Sequence, residues 1–490
     1  MPTLELKKNT LTSVVWTTLR IIAGTITSFF VFLVLARLLS PSDFGVFALS
    51  VLFADFFRLI ATAGLPDAVL RENDLDEELA DTAFWSCVGS STIFAVFICL
   101  VASSYGASIR RPDIAPILWA LAAVLPITAL GSIHTSRKLR DFGHRSIASR
   151  TIFANVVGGL AAVGAAFYGA GVWSLVVQRA VTETLNTALA LHAFKWRPRF
   201  RFSFVRLKSI LGFSASIMAT QLLVIMLIRV QDLFLGRTIN AAAVGNYRIA
   251  WRVIELVAQS AIMPLVTVAN VTLAKLQNDR PAFINAYLRM LGVGAMIALP
   301  AIIGFGILAP DVIVMLFGHQ WEQSTLTAQV LSFMAVPFTM NYFAGPAFSA
   351  LKKSGSIAKL GVVQFILTAS ATAVSVHDGL VAVAASYVLR AYVTMPYQMW
   401  LLRKEAGIHY RETIRTVMPS LLASLLMAAV LLPVHAHITS EITIRPLRVG
   451  VDVVIGVLLY AGGLFLFGKN FVRSQILAIR PLLTKRAGVA

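Results

Sequence analysis

The chain has 490 residues, 58% hydrophobic and 13% charged, with a formal net charge of +19 and a mean hydropathy of +0.78. A water-soluble domain carries roughly 25% charged and 45–50% apolar residues, so this much apolar side chain has no polar surface to cover it and the bilayer is its natural solvent. A membrane β-barrel is excluded because its strands alternate apolar and polar over about ten residues; here the apolar runs are continuous and about 20 residues long, enough for a helix to cross about 30 Å of hydrocarbon.

The fold class is therefore an all-α polytopic membrane protein. In chain order about fourteen runs have the length and apolarity of a span, at residues 10–36, 44–64, 80–104, 114–134, 147–168, 171–193, 208–235, 241–272, 282–308, 323–350, 356–375, 379–402, 413–433 and 447–467. The first follows Lys7 and Lys8 and is too long for a signal h-region, so it reads as a span rather than a cleaved leader. Short turns such as Tyr168–Gly171 and His377–Gly379 divide runs that would otherwise be double length. Cys87 and Cys99 share one apolar run and suggest neither a disulfide framework nor a metal site. The histidines do not cluster at metal spacing.

Sorting Lys and Arg by alternate loops fixes an orientation. Lys7, Lys8, the Arg137–Arg150 and Lys195–Lys208 clusters, Lys352, Lys353, Arg403, Lys404 and the residues after Lys469 all fall on one side. The other side holds Arg37, Arg110, Arg111, Arg237, Arg445 and Arg448. The positive-inside rule then puts both termini in the cytoplasm, and the even span number agrees. The basic charge is thus topological, with some contact to anionic lipid headgroups, and nucleic acid is not an expected partner. One loop runs contrary: Pro66–Asp81 is acidic and carries only Arg71.

Two segments repeat at an offset of 200 residues: ARLLSPSDFGVFALS from Ala36 and GRTINAAAVGNYRIA from Gly236. Arg37 aligns with Arg237, Gly45 with Gly245, Phe47 with Tyr247 and Asp55 with Glu255. The offset spans an even number of helices, so the repeats run in the same direction, as in two-lobed transporters with a site between parallel repeats. The expected organisation is an N-lobe over 1–200 with spans one to six, a C-lobe over 201–404 with spans seven to twelve, and an appendage over 405–490 with spans thirteen and fourteen and a cytoplasmic tail.

Motifs in a fixed order resemble those of a known family. They are ARLLSPSDFGVFAL (36–49), the acidic LREND and LDEELADTAFW (70–85), IRVQDLFLGRTINAAAVGNYRIAWR (228–252), LAKLQNDRPAFINAYLRML (273–291), FGHQWEQS (317–324) and GPAFSALKKSG (345–355). The set resembles the polysaccharide transporters, or Wzx-type flippases, of the multidrug/oligosaccharidyl-lipid/polysaccharide exporter superfamily. Its acidic loop is most similar to that of exopolysaccharide or colanic-acid exporters. The resemblance implies fourteen helices in the bacterial inner membrane, two lobes around a cationic cavity and alternating access. It implies an undecaprenyl-pyrophosphate-linked oligosaccharide as substrate, and a polysaccharide polymerase and export machinery as partners beside the membrane lipids.

Charges inside the spans point the same way. A buried charge costs about 2.5–3.5 kcal/mol on insertion scales, yet Arg20, Arg58, Arg179, Arg229, Arg248, Arg252, Arg289 and Arg390 lie within apolar runs. Fewer acids accompany them: Asp55, Glu183, Asp232, Glu255 and Asp452. Spacing pairs Asp55 with Arg58, Arg179 with Glu183 and Arg229 with Asp232, and puts Arg248, Arg252 and Glu255 on one helix face. Such pairs can lock helices, carry a coupling proton or share a sodium site. Arg289 and Arg390 can instead snorkel from helix ends. Arginine exceeds acid around Arg20, Arg58, Arg248 and Arg252, and guanidinium forks suit phosphate oxygens; these four are the expected substrate-binding residues. Trp16, Trp173, Trp251, Gln178, Asn186, Gln221, Gln259 and Asn341 are candidates for holding sugar, although Trp also marks the bilayer interface.

No catalytic constellation is visible. There is no Gly-rich loop with Lys-Ser/Thr, so nucleotide is not the direct energy source, and no cofactor is expected. A membrane-embedded polymerase or ligase should show a larger external loop than 309–322 or 434–446. A cation-coupled multidrug antiporter should favour acids over arginines in its cavity. A scaffold needs no buried charge at all. The expected function is a lipid-linked oligosaccharide flippase, a transporter and not an enzyme.

The orientation is checked by single-cysteine labelling in a cysteine-free background. A cysteine at Ser203 should resist an impermeant reagent in intact cells and react after permeabilisation; labelling in intact cells would overturn the topology.

Overall fold

The computed structural model describes residue 24 and residues 27–72, 76–141, 144–194 and 196–484. Among these the regular structure is helical: α1 (Thr27–Leu38), α2 (Pro41–Thr62), α3 (Leu65–Arg71), α4 (Glu77–Ser108), α5 (Ile114–Arg140), α6 (His144–Phe167), α7 (Trp173–Ala193), α8 (Phe204–Thr238), α9 (Ala241–Val257), α10 (Met263–Lys275), α11 (Arg280–Phe317), α12 (Gln323–Ser332), α13 (Ala335–Ala350), α14 (Ser354–Ser375), α15 (Leu380–Ala406), α16 (Tyr410–Glu441) and α17 (Arg445–Thr484). The all-α polytopic expectation is met. Ten described helices are long and apolar enough to cross a membrane, eleven if the bent pair α9–α10 is one span. Leu100, Leu160, Val374, Leu389 and Leu458 lie exposed on such helices, as lipid-facing positions should.

Three expected spans differ in detail. The run 323–350 is two helices, α12 and α13, because Pro337 has no N–H for the carbonyl of Phe333. That carbonyl accepts a hydrogen bond from the Tyr392 hydroxyl at 2.8 Å. The run 241–272 is α9 and α10, joined through a π-helical turn over Ala258–Ile262 with a bend of 46°. The last span extends beyond residue 467 and breaks at Gly468, which has φ −135° and ψ 20°.

The chain divides into two compact units, Met1–Asn246 and Tyr247–Ala490. In the first, α2 packs on α4, α5 and α8, and α5 and α6 both pack on α7. Small residues allow this closeness: a Cβ at Gly158 would lie 2.0 Å from the Thr182 hydroxyl, and one at Gly131 3.1 Å from that of Thr187. The helix 204–238, placed by sequence in the second lobe, here packs with the first unit.

The N-termini of α2 and α9 show what the repeated segment builds. Ser40 caps α2 in a capping box: its hydroxyl accepts from the Asp43 N–H at 3.2 Å while the Asp43 carboxylate accepts from the Ser40 N–H at 3.0 Å. Asn240 caps α9 by accepting from the Ala243 N–H at 2.8 Å. Within the first unit the two helix starts interlock reciprocally. A Cβ at Gly45 would stand 1.6 Å from the Ala241 carbonyl oxygen, and a Cβ at Gly245 2.0 Å from that of Pro41.

The acidic loop finds its counter-charge at the α4 N-terminus. Arg206 reaches Asp76 at 3.0 Å and Glu78 at 3.7 Å, and Arg137 reaches Glu77 at 2.7 Å. The Trp196 indole donates to Glu77 at 2.8 Å, the Arg199 N–H to buried Asp81 at 3.1 Å, and the Trp85 indole to the Arg199 carbonyl at 2.8 Å. The acids thus strap the basic 196–206 segment onto α4, which reconciles an acidic loop with the basic side of the protein. At the opposite end of α4, Arg111 hydrogen-bonds Asp113 at 2.6 Å and holds that carboxyl below the usual carboxylate range.

In the second unit α11 is the central helix, packed against α10, α12, α13, α16 and α17. Tyr287, Leu291, Ala295, Leu299 and Ile302 of α11 are fully buried with Phe343 and Ala347 of α13. A Cβ at Gly294 would fall 2.5 Å from the Phe343 ring. The hairpin α16–α17 lies along α11 over Ile307, Leu308 and Leu431.

The interlocked glycines yield a stability prediction. Gly45→Val and Gly245→Val drive side chain into backbone carbonyls, an overpacking cost of about 1–3 kcal/mol or more. Both should lower the thermal midpoint of the purified protein. Gly345→Ala, where a Cβ meets nothing within 4 Å, should leave it unchanged or raise it. Equal midpoints for all three would contradict the packing.

Candidate functional site

Most of the intramembrane charges singled out by sequence gather in two sets, one in each unit. In the first, Asp55 of α2 is the hub. Its Oδ1 accepts from Arg58 Nε at 3.1 Å, three residues along the same helix, and from Arg179 of α7 at 2.8 Å. Arg179 Nε also reaches Glu183 at 3.4 Å. The expected pairs Asp55–Arg58 and Arg179–Glu183 are therefore present, but the shorter contact of Arg179 crosses between helices. Sequence spacing misses it, since helix-to-helix partners leave no periodic signal. Val51, Ala54, Leu121, Val124, Leu125 and Thr128 surround this set, so the charges sit against apolar walls where pairing counts for most.

Arg229 and Asp232 form the expected pair on α8 at 3.5 Å, with Asp232 fully buried. Gln221, a sugar candidate by sequence, instead donates to Asp67 of α3 at 3.0 Å. Trp173 is exposed and Asn186 half-buried. Arg20 and Trp16 lie outside the described residues.

In the second unit Arg252 of α9 reaches Glu255 at 2.9 Å, and Gln259 donates to the same carboxylate at 3.3 Å. Arg248 is half-buried one turn earlier on α9. Trp251 meets Tyr387 edge-on at 5.3 Å and Phe338 at 6.1 Å between ring centroids. Arg390 is not at a helix end but buried in mid-α15, its guanidinium 4.2 Å above the Tyr387 ring. Arg289, by contrast, is exposed near the start of α11, as a snorkelling residue would be. Gln364 donates to Asn341 at 3.3 Å. The second unit therefore offers arginine, one carboxylate, amides and an aromatic wall.

The residues aligned by the repeat do the same work. Asp55 and Glu255 each take an arginine three residues away, Arg58 on the C-terminal side and Arg252 on the N-terminal side. Among the described residues no group of three or more His, Cys, Asp and Glu could hold a metal ion.

A helical, multi-pass membrane chain with paired charges inside its spans has the form of a transporter, and comparison with known proteins agrees. The family model described as "Polysaccharide biosynthesis protein" matches residues 34–326, and the chain belongs to that family. It is 22% identical over 441 residues to the succinoglycan biosynthesis transport protein ExoT of Rhizobium meliloti, covering 90% of this chain and 89% of the relative. It is 22% identical over 305 residues to the lipopolysaccharide biosynthesis protein WzxC of Escherichia coli, 61% of each chain. In fold it is similar to the lipid II flippase MurJ in an inward closed conformation, with TM-score 0.70 and 11% identity over 94% of this chain and all of that one. The resemblance to polysaccharide transporters is borne out. The protein is a transporter of polysaccharide biosynthesis and not an enzyme.

The shared hub predicts unequal variants. Asp55→Asn releases two guanidiniums, Glu183→Gln one at longer range. The first should therefore cost more stability, about 1–3 kcal/mol, read as a lower thermal midpoint in detergent. Identical midpoints for the two variants would show that Asp55 is not the hub.

Proposed function

We propose that the protein is a flippase that moves undecaprenyl-pyrophosphate-linked oligosaccharide from the cytoplasmic to the periplasmic face of the bacterial inner membrane, with both its termini cytoplasmic. The observation that carries this reading is the matched arginine–carboxylate set in each unit, Arg58 on Asp55 and Arg252 on Glu255. Pyrophosphate presents several anionic oxygens, and a guanidinium binds them in forked pairs without losing its own charge. The proposed pyrophosphate-binding residues are Arg58, with Arg20 by resemblance, in the first unit and Arg252, with Arg248 one turn earlier on α9, in the second. The sugars meet the aromatic and amide groups around Trp251 and Gln259, and the polyprenyl tail stays in lipid. Alternating access exposes the site to one face and then the other.

Family membership supports the substrate class, as do relatives named for succinoglycan transport and for lipopolysaccharide biosynthesis. The fold likeness to a lipid II flippase supports the mode of transport. Asp55, Asp232 and Glu255 are the carboxylates through which a proton or sodium gradient would act, and a polysaccharide polymerase and export machinery would receive the product.

The test is polysaccharide export at matched protein level. Arg58→Ala and Arg252→Ala should each lose about 1.5–3 kcal/mol of phosphate contact, a fall in export of roughly tenfold or more. Arg58→Lys and Arg252→Lys, which keep the charge and lose the fork, should be partly active. Wild-type export by the alanine variants, alone and combined, would remove these residues from the mechanism.

A further inference from the structure

A further cluster of titratable groups lies far along the chain from these sets, where α11, α16 and α17 meet near the 442–444 turn. His435 of α16 stands between two carboxylates. Its Nδ1 is 2.7 Å from Asp452 Oδ2 of α17, and its Nε2 is 3.9 Å from Asp311 Oδ2 of α11. Asp452 is wholly inaccessible, Asp311 is 7% exposed and His435 half-buried. Arg448 of α17, also 7% exposed, pairs with Asp311 through Oδ1. Arg445 lies 4.0 Å from the same oxygen and turns its other nitrogen to His319 at 3.1 Å. His437 and Glu441, on the same helix as His435, are exposed.

A neutral imidazole has one N–H, and the short contact to Asp452 uses it on Nδ1. Nε2 then turns a lone pair towards Asp311 Oδ2, a buried oxygen with no hydrogen-bond partner. A second proton, on Nε2, converts that repulsion into a charge-assisted contact. It also balances the buried charges: Asp311 and Asp452 against Arg448 and an imidazolium. Without it, buried Asp452 has a neutral ring as its nearest partner, a costly state for a charge in low dielectric.

We propose that His435, held between Asp311 and Asp452, is a proton-binding site, and that the bound proton fastens the α16–α17 hairpin to α11. The ligand is a proton taken from the side that the basic-loop pattern assigns to the exterior. All three groups sit on different helices, so loading the site joins α11, α16 and α17 at one point. A charged ring satisfies both carboxylates at once, so the joint is tighter with the proton bound than without it. The site does not depend on what the protein carries, and neither stability nor hydrogen exchange requires transport.

The full-length purified protein serves for the test, between pH 8 and about pH 5.5, the range in which histidine changes charge. In wild type the thermal midpoint should rise on acidification by roughly 2–4 °C, and hydrogen exchange at 431–452, corrected for its intrinsic pH dependence, should slow. His435→Gln should lose both effects. His435→Lys, which keeps a cation at every pH, should hold the hairpin at pH 8 as tightly as at pH 5.5. His437→Gln should behave as wild type. If His435→Gln does not fold while His435→Lys does, the requirement for a cation is shown directly. A pH response unchanged in His435→Gln or His435→Lys would overturn the proposal, as would wild-type exchange at 431–452 that does not slow on acidification.

Discussion

Within hydrocarbon every polar group must find its partner inside the protein, because no water is there to supply one. Many polar groups of the described spans find such partners, at several scales. Hydroxyls bond back to their own helix, as Ser50 does to the Val46 carbonyl at 2.8 Å, Thr339 to Ala335 at 2.8 Å and Ser424 to Ser420 at 2.8 Å. The carbonyl freed by Pro337 is capped by Tyr392 from another helix. Charges follow the same rule at higher cost, so Asp55 serves two guanidiniums and fully buried Asp232 sits beside Arg229. Helices carrying such groups must come within reach of their partners, and the Arg179–Asp55 contact ties α7 to α2.

The repeat shows how little identity such a constraint needs. One helix start is capped by Ser40 in a reciprocal box with Asp43, the other by Asn240 alone. The two caps satisfy the same exposed N–H groups with different side chains. What is kept is the glycine one turn in: any Cβ at Gly45 or Gly245 would fall inside a backbone carbonyl. Sterics therefore hold the glycines, while hydrogen bonding leaves the caps free to vary.

Much of this was legible in the sequence. Apolar runs located most of the described helices, since span length is set by bilayer thickness, but α11, α16 and α17 run eight or more residues past the ends of their apolar runs. The i,i+3 and i,i+4 ion pairs were legible because helical spacing alone decides them. The rest depends on contacts distant in sequence. Arg179 meeting Asp55, the acidic Asp76–Asp81 loop strapping Arg199 and Arg206, and Asp311 meeting Arg448 leave no periodic trace. The run 323–350 reads as one span on length and apolarity; the break at Pro337, and the Tyr392 hydroxyl that donates to the freed Phe333 carbonyl, appear only in the fold. The short α3 lay hidden in what reads as a polar loop.

On the proposed reading, pairing and substrate binding are two uses of one arrangement. An unpaired arginine in a span would be expensive to insert and would hold a pyrophosphate too tightly to release it. A fully locked pair would have nothing to offer. Asp55 takes an intermediate course: two guanidiniums share one carboxylate oxygen, and Arg179 has Glu183 as a second acceptor. When phosphate draws Arg58 away, Asp55 keeps Arg179 and is never left as a bare buried charge, the state that makes breaking an ion pair costly. Glu255 is similarly covered, because Gln259 remains bonded to it when Arg252 turns to a ligand. Exchange of partners, rather than exposure of free charge, lets such a site take up a dianion from one face and return to its empty state at the other.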